Sequence, residues 1–110
     1  MEKYYSDEQR EYLARRKEQL GDGAIRDAER RWGEVYGTLR AEMEAGTDPA
    51  DARLDPVRAE IRELLAAFTG GDAGIQRSLN RMWTDEDPAE LSRGMADREL
   101  VEYQRRVLGI

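Results

Sequence analysis

Two adjacent glycines, Gly70 and Gly71, divide two apolar stripes that both recur at the helical period. Val57, Ile61, Leu64, Leu65 and Phe68 precede the pair, and Ile75, Leu79, Met82 and Trp83 follow it. Glycine adopts positive φ without a Cβ clash, so the pair ends the first helix, and Asp72 is placed to cap the second. A chain built this way folds back on itself, with Phe68, Met82 and Trp83 gathered near the bend. Such residues form either core or the wall of an apolar site.

The rest of the chain has the same helical grammar. Ser6-Asp7-Glu8-Gln9 has the form of a capping box, which starts a helix running to about Leu20. That helix is thinly apolar, with only Tyr12, Leu13 and Leu20, and its stability depends on docking. After a break at Gly21-Asp22-Gly23 comes the strongest stripe, made by Ile25, Ala28, Trp32, Val35, Tyr36, Leu39 and Met43. Gly46 ends it, and the Thr47-Asp48-Pro49 turn leads into a short link with a helical turn of its own. Asp55 as N-cap and Pro56 in the first turn restart a helix. Asp87-Pro88 opens a brief turn through Leu91, and Asp97 caps the last helix.

On that last helix Leu100, Tyr103 and Val107 form one stripe, and Val101 and Leu108 a second. Two covers are therefore expected, one the core and the other the N-terminal helix or a partner chain. No period-two strand pattern is present. The expectation is an all-α single domain, 1–110, of about five main helices. It has an N-terminal lid helix over 1–20 and a helical core over 21–110, packed around Trp32, Tyr36, Leu39, Ile61, Leu65, Phe68, Leu79 and Tyr103.

Composition narrows the chemistry. The chain has no cysteine and no histidine, which removes thiol nucleophiles, disulfides, the usual zinc ligands and the usual base near neutral pH. Acids outnumber bases 24 to 18, so a phosphate backbone is repelled and direct nucleic-acid binding by this chain is not expected. No apolar run is long enough for a membrane span and no signal-peptide core is present, so no membrane association and a cytoplasmic location are expected. The acid pairs Asp85 and Asp87, and Glu60 and Glu63, read as solvated surface. No catalytic residue, metal site or cofactor is assigned.

The candidate residues are therefore binding residues. Trp32 and Tyr36, one turn apart, present flat faces. Phe68, Leu79 and Met82 border the glycine bend, and Trp83 sits at a helix end before a polar segment. Met95, between Gly94 and Ala96, is an adaptable wall or a gap filler, and Ser78 stands at the edge of the apolar stripe. Tyr103 completes the set from the last helix. Each has a plain reading as core alongside the functional one.

The segment 67–83, the Glu44-Ala45-Gly46-Thr47-Asp48-Pro49 turn and the opening Tyr4-Tyr5-Ser6-Asp7-Glu8-Gln9 together resemble the TipAS-type antibiotic-recognition domain. The resemblance runs from about Tyr4 to Leu108 and rests on the order and spacing of these motifs. It implies a globin-like helical arrangement without haem and a non-enzymatic module that holds a small-molecule or peptide antibiotic, apolar or polyaromatic, in a groove between helices. The family is the effector-binding part of certain MerR-type transcription regulators and also occurs as a free-standing drug binder. Where family members capture dehydroalanine-containing thiopeptides through a thiolate, the matching position here is Ser78. A serine hydroxyl without a base is too weak a nucleophile, so reversible binding, or a different drug, is expected. The alternative is a helical interaction domain that pairs with another protein, or with itself as a homodimer, through the second stripe of the last helix.

Overall fold

The computed structural model describes residues 4–109; the outermost positions of the expected domain, 1–3 and 110, lie outside it. Five α-helices and one 3-10 turn make up the described residues, with no strand. Helix α1 (Asp7–Glu44) begins at the expected capping box. Ser6 Oγ accepts from the Gln9 amide, and Gln9 Oε1 accepts from the Ser6 amide, both at 3.1 Å. Gly21, at φ 81 and ψ 165, interrupts α1 and separates an N-terminal arm, residues 7–20, from a body, residues 22–44. Helical hydrogen bonding resumes at once, so the expected break is a sharp joint within one long element.

After Gly46 the chain turns through Asp48, whose carboxylate accepts from the Ala50 amide at 2.8 Å. Asp51 caps the 3-10 turn Ala52–Leu54, which runs directly into α2 (Asp55–Thr69). Asp55 therefore does not cap α2, contrary to the expectation from the sequence. Leu54 occupies the cap position with helical φ and ψ, and the Asp55 carboxylate pairs along the helix with Arg58 instead. Gly70 ends α2 in the left-handed region, and Asp72 caps α3 (Ala73–Asp85) through the Ile75 amide at 2.9 Å. Helix α4 (Pro88–Leu91) and helix α5 (Arg98–Leu108) begin at Asp87 and Asp97, both of which accept from backbone amides as caps.

The core lies where the α1 body meets α2 and α5. Val35, Tyr36 and Leu39 from α1, Leu54, Ile61 and Leu64, and Leu100, Val101, Tyr103 and Val107 from α5 are all buried. Arg31 pins α1 to α2, reaching Glu60 at 2.5 Å and Glu63 at 3.1 Å, and the guanidinium holds the Glu60 carboxyl below its ordinary range. Arg58 Nε donates to the Val107 carbonyl at 2.7 Å, tying α2 to the end of α5.

The interior differs from the expected one at its far end. Phe68 is 42% exposed, and Trp32, Leu65 and Leu79 are only half-buried, whereas Leu54, from the link, is sealed. The centre thus lies nearer the 3-10 turn than the glycine bend. Phe68, in the last turn of α2, extends past the point where α1 and α5 close over that helix.

Candidate ligand-binding cleft

A cleft of about 270 Å³ opens beside Phe68, a residue with both a core and a binding reading in the sequence. From α1 it takes Glu29, Trp32 and Tyr36, which share one face because they are three and four residues apart. The Trp32 and Tyr36 rings stack with centroids 5.6 Å apart and planes 25° from parallel, giving a continuous flat wall. Leu65 and Phe68 enter from α2, and Gln76, Leu79, Asn80 and Trp83 from α3. Leu91 and Met95 close one end. Val101, Gln104, Arg105 and Leu108, spaced as one face of α5, form the remaining side.

Helix α3 has two working faces. The cleft takes Leu79 and Trp83, while Ile75, Ser78 and Met82 are buried on the next row. Ser78 belongs to the arm's seam, where its hydroxyl lies 3.1 Å from both Gln9 Oε1 and the Gly74 carbonyl. The arm is held there by further polar contacts, Arg16 Nη2 to the Ala67 carbonyl at 2.6 Å and Arg81 Nη2 to the Tyr4 carbonyl at 3.4 Å. Tyr12 packs so closely on Gly70 that a Cβ there would collide with its hydroxyl.

Of the nine candidate residues, Trp32, Tyr36, Phe68, Leu79, Trp83 and Met95 come together around the cleft. Ser78, Met82 and Tyr103 do not line it. Ser78 and Met82 face away from the cleft, and Tyr103 is buried in the core with its hydroxyl donating to the Thr47 carbonyl at 2.8 Å. The second stripe of α5, Val101 and Leu108, is taken up by the cleft rather than by the N-terminal helix. Sequence reasoning missed the polar side, Gln76, Asn80, Gln104 and Arg105, although Gln104 and Arg105 fall between Val101 and Leu108 on the same face.

The lining is mainly apolar, with a polar minority that includes Gln76, Asn80, Ser92, Gln104 and Arg105. Ser92 reaches the cleft, but its hydroxyl is engaged with the Pro88 and Ala96 carbonyls and the Ala96 amide at 2.7 to 3.0 Å. Gln76 donates to Asn80 at 2.9 Å, leaving the remaining amide atoms of both available to a guest. Burial pushes the Tyr36 hydroxyl up to about 12, so that side chain is neutral at any physiological pH. A second hollow, between the arm and the start of α3, is lined by Glu8, Gln9, Glu11 and Arg15 among others and suits water better than an apolar guest.

Among the described residues no three potential metal ligands cluster, and no helix is long and apolar enough to cross a membrane. The arrangement offers aromatic faces, a flexible thioether and amide groups, which is recognition chemistry. The TipAS antibiotic-recognition domain family matches the chain over residues 1–110, its whole length. The chain belongs to that family. Comparison with curated proteins and with solved structures returned no match. As a TipAS domain it is a ligand-recognition module, and the cleft is where Trp32, Tyr36, Phe68 and Trp83, four of its five candidate aromatic residues, converge.

Proposed function

We propose that this TipAS domain binds an apolar, ring-containing antibiotic reversibly in the cleft between its five helices. The observation that carries the reading is the Trp32–Tyr36 stack lining the same cleft as Phe68, Trp83 and Met95. Drug-sized ligand pockets span roughly 300–1,000 Å³. At about 270 Å³ this cleft suits one or two rings of a larger molecule rather than the whole of it. With serine at the matching position and no cysteine, the contact is non-covalent.

The domain serves either as the effector module of a MerR-type regulator or as a stand-alone protein that sequesters drug. In the first case DNA contact belongs to another segment, in keeping with the acidic charge of this chain. The N-terminal arm takes the part of a lid. It lines no part of the cleft, so its influence runs through α3, which carries the arm on one face and ligand contacts on the other.

Titration of intrinsic tryptophan fluorescence with a panel of peptide and flat polyaromatic antibiotics tests the reading, because both indoles stand in the cleft wall. A saturable change is expected for at least one of them. Phe68→Ala then weakens that ligand about fivefold or more while leaving the fold intact, since the ring, 42% exposed, is not part of the buried core. An unchanged Kd in that variant, or silence across the panel, overturns it.

A further inference from the structure

Among the described residues Arg105, like Arg16 in the arm, is a half-buried arginine with no carboxylate partner, and of the two only Arg105 lines the cleft. Arg31, Arg40 and Arg58 each reach a carboxylate, and Arg16 is engaged by the Ala67 carbonyl. Arg105 also is half-buried, yet among the described residues its guanidinium has one partner, the neutral hydroxyl of Thr84 at 2.7 Å. That hydroxyl in turn donates to the Asn80 carbonyl at 2.8 Å. The chain fixes Arg105 from α3 without neutralising it, in a protein with six more acids than bases.

The side chain stands in the wall of the cleft, next to apolar surface from Leu108 and Val101 on its own helix. A guanidinium carries five N–H donors in a planar fork that matches a carboxylate or similar oxyanion. Half-buried in the wall of a mainly apolar cleft, an unneutralised fork gains more from such a partner than a fully exposed lysine or arginine would. The other charged lining residue, Glu29, is exposed and makes no ion pair with Arg105. Water and salt screen its charge.

We infer that Arg105 is a specificity-determining residue that reads an anionic group, a carboxylate or like oxyanion, on the ring-containing ligand of this cleft. The inference rests on the cleft being the ligand site. It narrows the ligand class from flat and apolar to flat, apolar and acidic at one end. Thr84 acts as a positioning residue, holding the fork toward the guest.

The test uses two dyes that share one ring system, anilinonaphthalene sulfonate and its neutral parent phenylnaphthylamine, with the sulfonate standing for the oxyanion. Binding is read by energy transfer from Trp32 and Trp83. The unmodified protein is expected to favour the sulfonate over the neutral dye by about tenfold, as a charge-assisted hydrogen bond implies. Added salt reduces that preference. Arg105→Gln removes it while keeping phenylnaphthylamine affinity within about twofold, and Arg105→Lys restores part of it. Thr84→Val, which keeps the charge but frees it, gives an intermediate preference. Circular dichroism and the thermal midpoint establish that each variant is folded.

Equal loss of both dyes in Arg105→Gln makes the residue a wall and overturns the inference. So does a parent protein that binds both dyes alike, although the cleft then stands as a ligand site. If neither dye binds, the inference falls together with the proposed function.

Discussion

Helix α1 meets its neighbours along two seams of opposite character. Toward α2 and α5 it presents Val35 and Leu39, both sealed, and the seam closes with side chains filling the space between helices. Toward α3 it presents Trp32 and Glu29, and there the walls stand apart around a cleft. One helix and one stripe thus serve both as core and as binding surface. Closure depends on what lies opposite. Ile61 and Leu64 of α2 and Leu100 and Val101 of α5 share one buried cluster with Leu39, whereas Trp32 faces an element that sits beyond a glycine bend and is drawn to its other side by the arm.

The closed seam is where a deletion should cost most. Leu39→Ala leaves a cavity with no solvent to fill it, and a loss of about 3 kcal/mol in urea-induced unfolding is expected. A loss below about 1 kcal/mol would mean that the seam collapses readily, and the contrast with the cleft would then weaken.

Tyr36 belongs to both seams and gives the next largest effect. Burial raises its folded-state value from 10.0 to about 12, so the folded protein holds the proton more tightly than the unfolded chain does. Stability from this group is therefore complete below pH 10.0 and is lost as the pH rises through about 12. The loss should be on the order of 2 kcal/mol. Tyr103, raised chiefly by burial and further by Glu42, Asp48 and Asp51, adds to it in the same direction. Tyr36→Phe should flatten the alkaline limb of a stability-against-pH curve. An unaltered limb would show that the ring is wetter than the closed seam requires.

The sequence made some parts of this arrangement plain and hid others for physical reasons. Caps and breaks are local, so Ser6, Gly21, Asp72, Asp87 and Asp97 could be placed from neighbours alone, while Asp55 was misplaced because the preceding 3-10 turn took over its capping position. Helical period identifies a stripe but not what covers it. Ser78 and Met82 were therefore grouped with Leu79 and Trp83, though they occupy the adjoining row under the arm. Phe68 looked like core because its stripe is core one turn earlier. The aromatic residues of the cleft were legible because large flat side chains are few. Arg105 was not, since an arginine between two apolar residues at helical spacing looks like any solvated face until its lack of a carboxylate partner is seen.

The arm and the body of α1 extend the same contrast along the chain and give the smallest predicted effect. The body is held by buried hydrocarbon, while the arm is held by a few polar contacts, and two buried polar atoms, Arg16 Nε within it and Tyr5 Oη just before it, have no hydrogen-bond partner among the described residues. Such atoms oppose docking, so the arm belongs to the part of the molecule that opens locally at low cost. Gln9 concentrates the arm's attachment, because its Oε1 accepts from both the Ser6 amide and the Ser78 hydroxyl. Gln9→Ala should speed amide exchange over residues 7–20 by about fivefold, equivalent to roughly 1 kcal/mol, with residues 28–39 unaffected. If the arm is a lid coupled to the cleft through α3, a bound ligand should slow exchange over the same residues. Ligand should restore part of that protection in Gln9→Ala as well. Equal, strong protection of residues 7–20 with and without ligand would remove the lid and leave the arm a fixed part of the fold.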